Sequence, residues 1–290
     1  SIQQAVGRFM FCALAPMLYN VGIIIGTVWF TGGVNLFGWQ IFDGGIMGVA
    51  LGVVLGSFLQ LIVSAVGLAG LGFDYNFKIY WRNKGFRKVL SLLPARSVDQ
   101  GMDYVVSLVE VNLASRLADG TVRAYQQALT LHMMPINLIG VAISNAAFPQ
   151  LTGHLGEGRV DLFQKDLRSL LRIVFWMALP VSVVIFFTRG YVVHFIRNTG
   201  DPLIAGILGC LVVAILFRTI YHMAARAFYA RQDTKTPLYI SIFSITLNII
   251  LAIVLSMVLK MGAYGLAWAQ STVAVLEVVV LLAVMNRQMP

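Results

Sequence analysis

Charge is scarce in this chain of 290 residues, and acid is scarcer still: 21 Lys and Arg stand against 12 Asp and Glu. With 59% hydrophobic residues and only 11% charged, that scarcity excludes an ordinary soluble domain, where about a quarter of residues are charged. Cysteine is nearly absent. Cys12 and Cys210 both lie in apolar stretches, which rules out a disulfide framework and a cysteine metal site. No nucleophile–base pair, phosphate-binding glycine loop or zinc spacing occurs, so no catalytic constellation is present and the chain reads as a non-enzyme. No signal peptide is visible and the first residue is Ser1, so the chain reads as a piece of something longer.

What is abundant is long apolar runs. A membrane-crossing helix needs roughly 20 mostly apolar residues. Runs of that kind cover residues 9–30, 44–69, 90–117, 124–152, 168–188, 203–229, 238–259 and 263–285. They predict an all-α polytopic membrane protein with about eight transmembrane helices.

The net charge of +9 is not a nucleic-acid signature, because the basic residues sort by loop. Of the 21 Lys and Arg, 15 fall on one side of the predicted membrane, from Arg8 through the run Lys78 to Arg96, then Arg159 to Arg172, and on to Arg287. The other side holds Arg116, Arg123, Arg189, Arg197 and Lys260, and Arg218 lies within a span. By the positive-inside rule the richer side is cytoplasmic, and both termini of the chain face it. Residues 70–88 interleave aromatic and basic residues, Tyr80 and Trp81 among them. Such a segment suits a cytoplasmic interfacial linker lying on anionic lipid. It divides the chain into residues 1–69 and 89–290.

The two parts share a pattern. Asn20 in an apolar helix is followed by Gly45, Gly48 and Ala50 opening the next; Asn248 is followed by Gly262, Gly265 and Ala267. Small residues at such spacing let backbones approach closely. Glycine-rich membrane helices in general are one reading; a parallel structural repeat of a transporter is the other.

Ionisable residues inside spans are costly and mark function. Asp99, Asp103 and Glu110 lie on one face of the third span. Glu110 is the deepest; pairing with Arg116, protonation forced by desolvation, and a role in cation or proton coupling are its readings. Arg218, His222 and Arg226 recur at i, i+4 and i+8 in the sixth span, forming one basic stripe. It needs an anion, either the acidic face of span three or a ligand phosphate, which the guanidinium fork suits. Asn248, Gln270, Ser271 and Thr272 add neutral oxygens that serve either as interhelical glue or, with Glu110, as a site for Na+ or a proton.

The stretch R-A-F-Y-A-R-Q-D-T-K-T-P, Arg226 to Pro237, joins two spans through charge, with Pro237 at the start of the next helix and Asp233 or Thr234 as its cap. It resembles the signature loop of the MurJ/MviN family of lipid II flippases, within the larger superfamily of multidrug and polysaccharide-lipid exporters. Three further stretches resemble the family in the same order. They are R-F-x(5)-A-P-x(3)-N at Arg8 to Asn20, L-A-S-R-L-A-D-G-T-V at Leu113 to Val122, and Pro135 to Leu151. Together they cover the whole chain as family helices five to twelve.

That resemblance implies part of a two-lobed alternating-access transporter. Residues 1–69 would be the last two helices of a first lobe whose remainder is missing, and residues 89–290 a complete six-helix second lobe. It implies an anionic lipid-linked substrate, undecaprenyl-pyrophosphate-linked saccharide, met by Arg218, His222 and Arg226 in the bacterial cytoplasmic membrane. It further implies coupling to Na+ or H+ at Glu110, Asn248, Asp103 and Gln270, with no other cofactor. Two departures stand out. Ala252 occupies a position often acidic in sodium-binding members, and Thr130 or a neighbour replaces a substrate-facing arginine. The alternatives are an exporter of other lipid-linked saccharides or of drugs, and a non-transporting scaffold for wall synthesis.

Overall fold

A computed structural model describes residues 9–36, 39–42, 44–68, 83–197 and 200–288. It divides into two compact units, Ser1–Tyr80 and Trp81–Pro290. In the first, α1 (Phe9–Ile25) runs into a wider π turn, Gly26–Phe30, and packs on α2 (Ile46–Val66). Between them, β1 (Val34–Leu36) and β2 (Trp39–Phe42) pair antiparallel, a hairpin that the apolar pattern does not predict. Glycine makes the helix pair possible. A Cβ built on Gly52 would lie 2.6 Å from the Cα of Gly26, and one on Gly22 would lie 2.3 Å from the Cα of Gly56. The two backbones therefore touch, as small residues at fourth positions allow.

Among the described residues the second unit holds six helical rods: α3 (Lys84–Ser115); α4 (Thr121–Pro135), joined through a π turn at Ile136–Val141 to α5 (Ala142–Gly156); α6 (Val160–Arg197); α7 (Pro202–Ala230); α8 (Lys235–Ile253), ending in a π turn at Val254–Val258; and α9 (Ala263–Gln288). The π turn between α4 and α5 follows Pro135, where a missing N–H and ring crowding disturb the i→i−4 ladder. Gly140 in that turn packs against the backbone of Thr219 on α7, 3.0 Å from where a Cβ would stand.

Seven helices among the described residues are long and apolar enough to cross a membrane. The expected third span differs. Its helix is continuous from Lys84 to Ser115, with Tyr104–Ser115 an apolar stretch and Arg87, Arg96, Asp99 and Asp103 in its first two-thirds. This helix already begins within the expected linker, 70–88, at an N-cap where the Asn83 side chain accepts from the Gly85 N–H at 2.8 Å. Tyr80, Trp81 and the rest of that segment up to residue 82 lie outside the described residues. On α6, Phe187, Tyr191 and Phe195 stand exposed in one row, Phe195 at 90%, an arrangement suited to lipid rather than water.

The repeated small-residue pattern has a structural counterpart. In each pair the first helix ends in a π turn, Gly26–Phe30 or Val254–Val258. The second helix sets a glycine against that end: Gly48 on the backbone of Phe30, Gly265 on that of Leu255.

The turn from α7 to α8 closes as the sequence suggests, and the structure selects between its two candidate caps. The helix starts at Lys235, and its formal N-cap, Thr234, makes no side-chain cap bond. Asp233 does the capping. One carboxylate oxygen accepts from the N–H groups of Lys235 and Thr236, both at 3.1 Å, and the other accepts from the Thr236 hydroxyl at 2.6 Å. Asp233→Ala is expected to lower stability by about 1 kcal/mol, the usual worth of an N-cap. An unchanged thermal unfolding midpoint would contradict this role.

Candidate functional site

The basic stripe lies on α7, the most enclosed helix of the second unit, so its polar residues face neighbours rather than lipid. Arg218, His222 and Arg226 line one cavity of about 250 Å³. Tyr221 shares it, with Ser241, Ser244 and Asn248 from α8, Val106 from α3 and Glu277 from α9. The Tyr221 ring meets that of His222 edge-on at 6.1 Å, and its hydroxyl is 3.2 Å from the Ser241 hydroxyl. The Arg226 guanidinium sits over the Phe148 ring of α5, 5.5 Å from the centroid, a cation–π arrangement. The three residues expected to face the substrate are thus brought together.

Glu110 is 1% exposed and its partners differ from the expected Arg116, which is exposed beyond the end of α3. One carboxylate oxygen accepts from the Tyr125 hydroxyl at 2.9 Å. The Gln270 amide nitrogen donates to both oxygens, at 2.9 and 3.0 Å. The oxygen of the same amide accepts from an Arg218 N–H at 3.5 Å. Acid and base are therefore joined through a neutral amide, which satisfies a buried carboxylate without direct pairing. Arg116 is exposed past the end of α3, whereas Tyr125 and Gln270 are buried on α4 and α9.

Asn248 is 2% exposed and lines the cavity, and among the described residues neither its amide oxygen nor its amide nitrogen has a hydrogen-bond partner. A buried amide in this state has capacity for a ligand or water. The backbone of Asp103 belongs to α3, but its side chain, like that of Asp99, lies outside the described residues. Ser271 donates to the Cys210 carbonyl at 2.6 Å and so acts as helix-to-helix glue. Thr130 donates back to the Gln126 carbonyl and lines a separate surface depression with Met133 and Asn137. It does not line the basic cavity.

The sequence reading overlooks three groups. Glu277, 6% exposed, is a buried acid within an apolar span, and the rule that selected Glu110 would have selected it. Tyr125 and His132 are seven residues apart on the buried face of α4, a spacing that places them together. The His132 ring places Nδ1 2.7 Å from the Leu129 carbonyl and leaves Nε2 buried without a partner among the described residues.

The fold that holds this cavity is shared with solved membrane proteins. A structure of MATE in complex with MaD3S matches with a TM-score of 0.81 at 15% identity, over 98% of this chain and 63% of the other. An outward-facing MATE family transporter of the MOP superfamily matches with a TM-score of 0.76 at 16% identity, over 95% and 62%. The chain thus shares its fold with these MATE structures. Lipid II flippase MurJ in an inward closed conformation matches with a TM-score of 0.68 at 24% identity, over 96% of this chain and 56% of the other.

The family model for lipid II flippase MurJ matches residues 1–290, and the chain belongs to that family. Among relatives, a probable lipid II flippase MurJ of Borreliella burgdorferi is 24% identical over 93% of this chain and 52% of its own length. One of Thermotoga maritima is 25% identical over 93% and 53%. The lipid II flippase MurJ of Burkholderia cenocepacia is 25% identical over 81% and 46%. The chain spans about half the length of the curated relatives it matches.

Proposed function

We propose that this chain forms the Arg218-bearing part of a lipid II flippase of the bacterial cytoplasmic membrane. It would move an undecaprenyl-pyrophosphate-linked saccharide by alternating access, with residues 1–69 and 89–290 belonging to two lobes. The observation that carries the reading is one cavity presenting two guanidinium groups, a histidine and the unpartnered Asn248 amide between apolar helices. Guanidinium forks suit a pyrophosphate, and an amide offers a donor and an acceptor to saccharide hydroxyls. The loop asymmetry of Lys and Arg orients both termini toward the cytoplasm. Glu110, with Gln270 and Asn248, is the proposed coupling site for H+ or Na+.

The test is complementation of cells lacking lipid II flipping by the full-length flippase carrying these helices. Arg218→Ala at unchanged membrane abundance is expected to abolish growth support, and Arg218→Lys to restore part of it, since a point charge replaces a two-pronged donor. Full complementation by Arg218→Ala would refute the substrate role. A drug-export reading is favoured by one observation, Glu277 within the cavity. It requires organic cations to bind more tightly than isoprenyl pyrophosphates.

A further inference from the structure

Glu277 is a carboxylate to which the transport reading gives no task. It lines the same cavity as Arg218, His222 and Arg226, and among the described acids it alone does so. Val278 joins the buried cluster of Ile220 and Met223, and Leu281 joins that of Ala224 and Ala225. Glu277 therefore lies on a stretch of α9 whose neighbours share buried clusters with α7. The other buried acid near the stripe, Glu110, has both oxygens engaged by Tyr125 and Gln270, and the Gln270 amide links it to Arg218.

An anion at this position does electrostatically what a ligand phosphate would do. It offsets guanidinium charge in a water-poor enclosure where uncompensated cations are costly. We propose that Glu277 is the resident counter-anion of the cavity, standing in for a phosphate opposite Arg218 and Arg226 until an anionic headgroup displaces it. The inference rests on the cavity being a pyrophosphate-lipid site, and it assigns Glu277 to setting how tightly that headgroup is held. A carboxylate that competes for the arginines weakens binding and speeds release. For a transporter this is useful, because a headgroup held by both arginines without a competitor leaves slowly.

The experiment measures binding of farnesyl pyrophosphate to the 290-residue chain in lipid nanodiscs by titration calorimetry. Glu277→Gln is expected to tighten binding on the order of tenfold, as expected from removing one like charge held close to the headgroup. Glu277→Ala, which removes the charge without adding an amide, is expected to do the same, so the outcome does not depend on one variant folding. Glu277→Asp is expected to remain near wild type, as is the control Glu157→Gln on an exposed acid outside the cavity. Unchanged or weaker binding in the neutral variants, with wild type binding and Arg218→Ala not, overturns the counter-anion role alone. Absence of binding by wild type and by both neutral variants overturns the pyrophosphate reading and this inference with it.

Discussion

Gly52→Val is expected to separate α1 from α2 and to lower the stability of the first unit by about 3 kcal/mol, the upper range for overpacking a close contact. The reason is that the obstacle is backbone. A Cβ on Gly52 would meet the Gly26 Cα at 2.6 Å, the Gly22 carbonyl oxygen at 2.9 Å and the Gly26 nitrogen at 3.0 Å. No rotamer change relieves a clash with main chain, so the helices must move apart. Separation would also open the neighbouring contacts of Gly22 with Gly56 and of Gly48 with Phe30. Thermal unfolding followed by tryptophan fluorescence would register the loss, with Trp29 and Trp39 in this unit as reporters. The matched control is Gly32→Ala, where a Cβ meets nothing within 4 Å and the midpoint is expected to stay put. Equal midpoints for Gly52→Val and Gly32→Ala would show that the close approach is not needed for stability.

Glu110→Ala is expected to cost about 3 kcal/mol, because it leaves buried donors with no acceptor. The Tyr125 hydroxyl and the Gln270 amide nitrogen both lose their partner. With Gln270 released, Arg218 loses the fixed oxygen that it now addresses. Glu110→Gln should fall between wild type and Ala. Its amide can present one oxygen to Tyr125 or to Gln270, but its nitrogen cannot accept from either. A double-mutant cycle with Gln270→Ala measures the link directly, with a coupling of about 1–2 kcal/mol expected for buried groups in contact. Additive effects would mean that the two side chains are independent, contrary to the geometry.

The membrane character of the chain was legible because hydropathy is a property of each run by itself. Apolar runs at 203–229 and 263–285 lie within Pro202–Ala230 and Ala263–Gln288. The basic stripe was legible for a similar reason, since i, i+4 and i+8 fall on one face of any helix. Partnerships between helices were not. Glu110 and Gln270 are 160 residues apart, and nothing in the spacing within either helix sets their relative height. Arg116 looked like the partner because it is near in sequence, but it lies past the helix end. The π turns were equally hidden, because an i→i+5 bond changes winding without changing composition.

The π turn at Ile136–Val141 has an angular consequence. An α-helix advances by about 100° per residue, so side chains at 125 and 148 on an unbroken helix would point roughly 140° apart. Absorbing one residue in a wide turn cuts that to roughly 40°. Tyr125 and Phe148 can then address the same azimuth, one meeting Glu110 and the other lying beneath Arg226. The wide turn is a phase corrector. Without it, the helix could serve the acidic end of the polar column or its basic mouth, but not both.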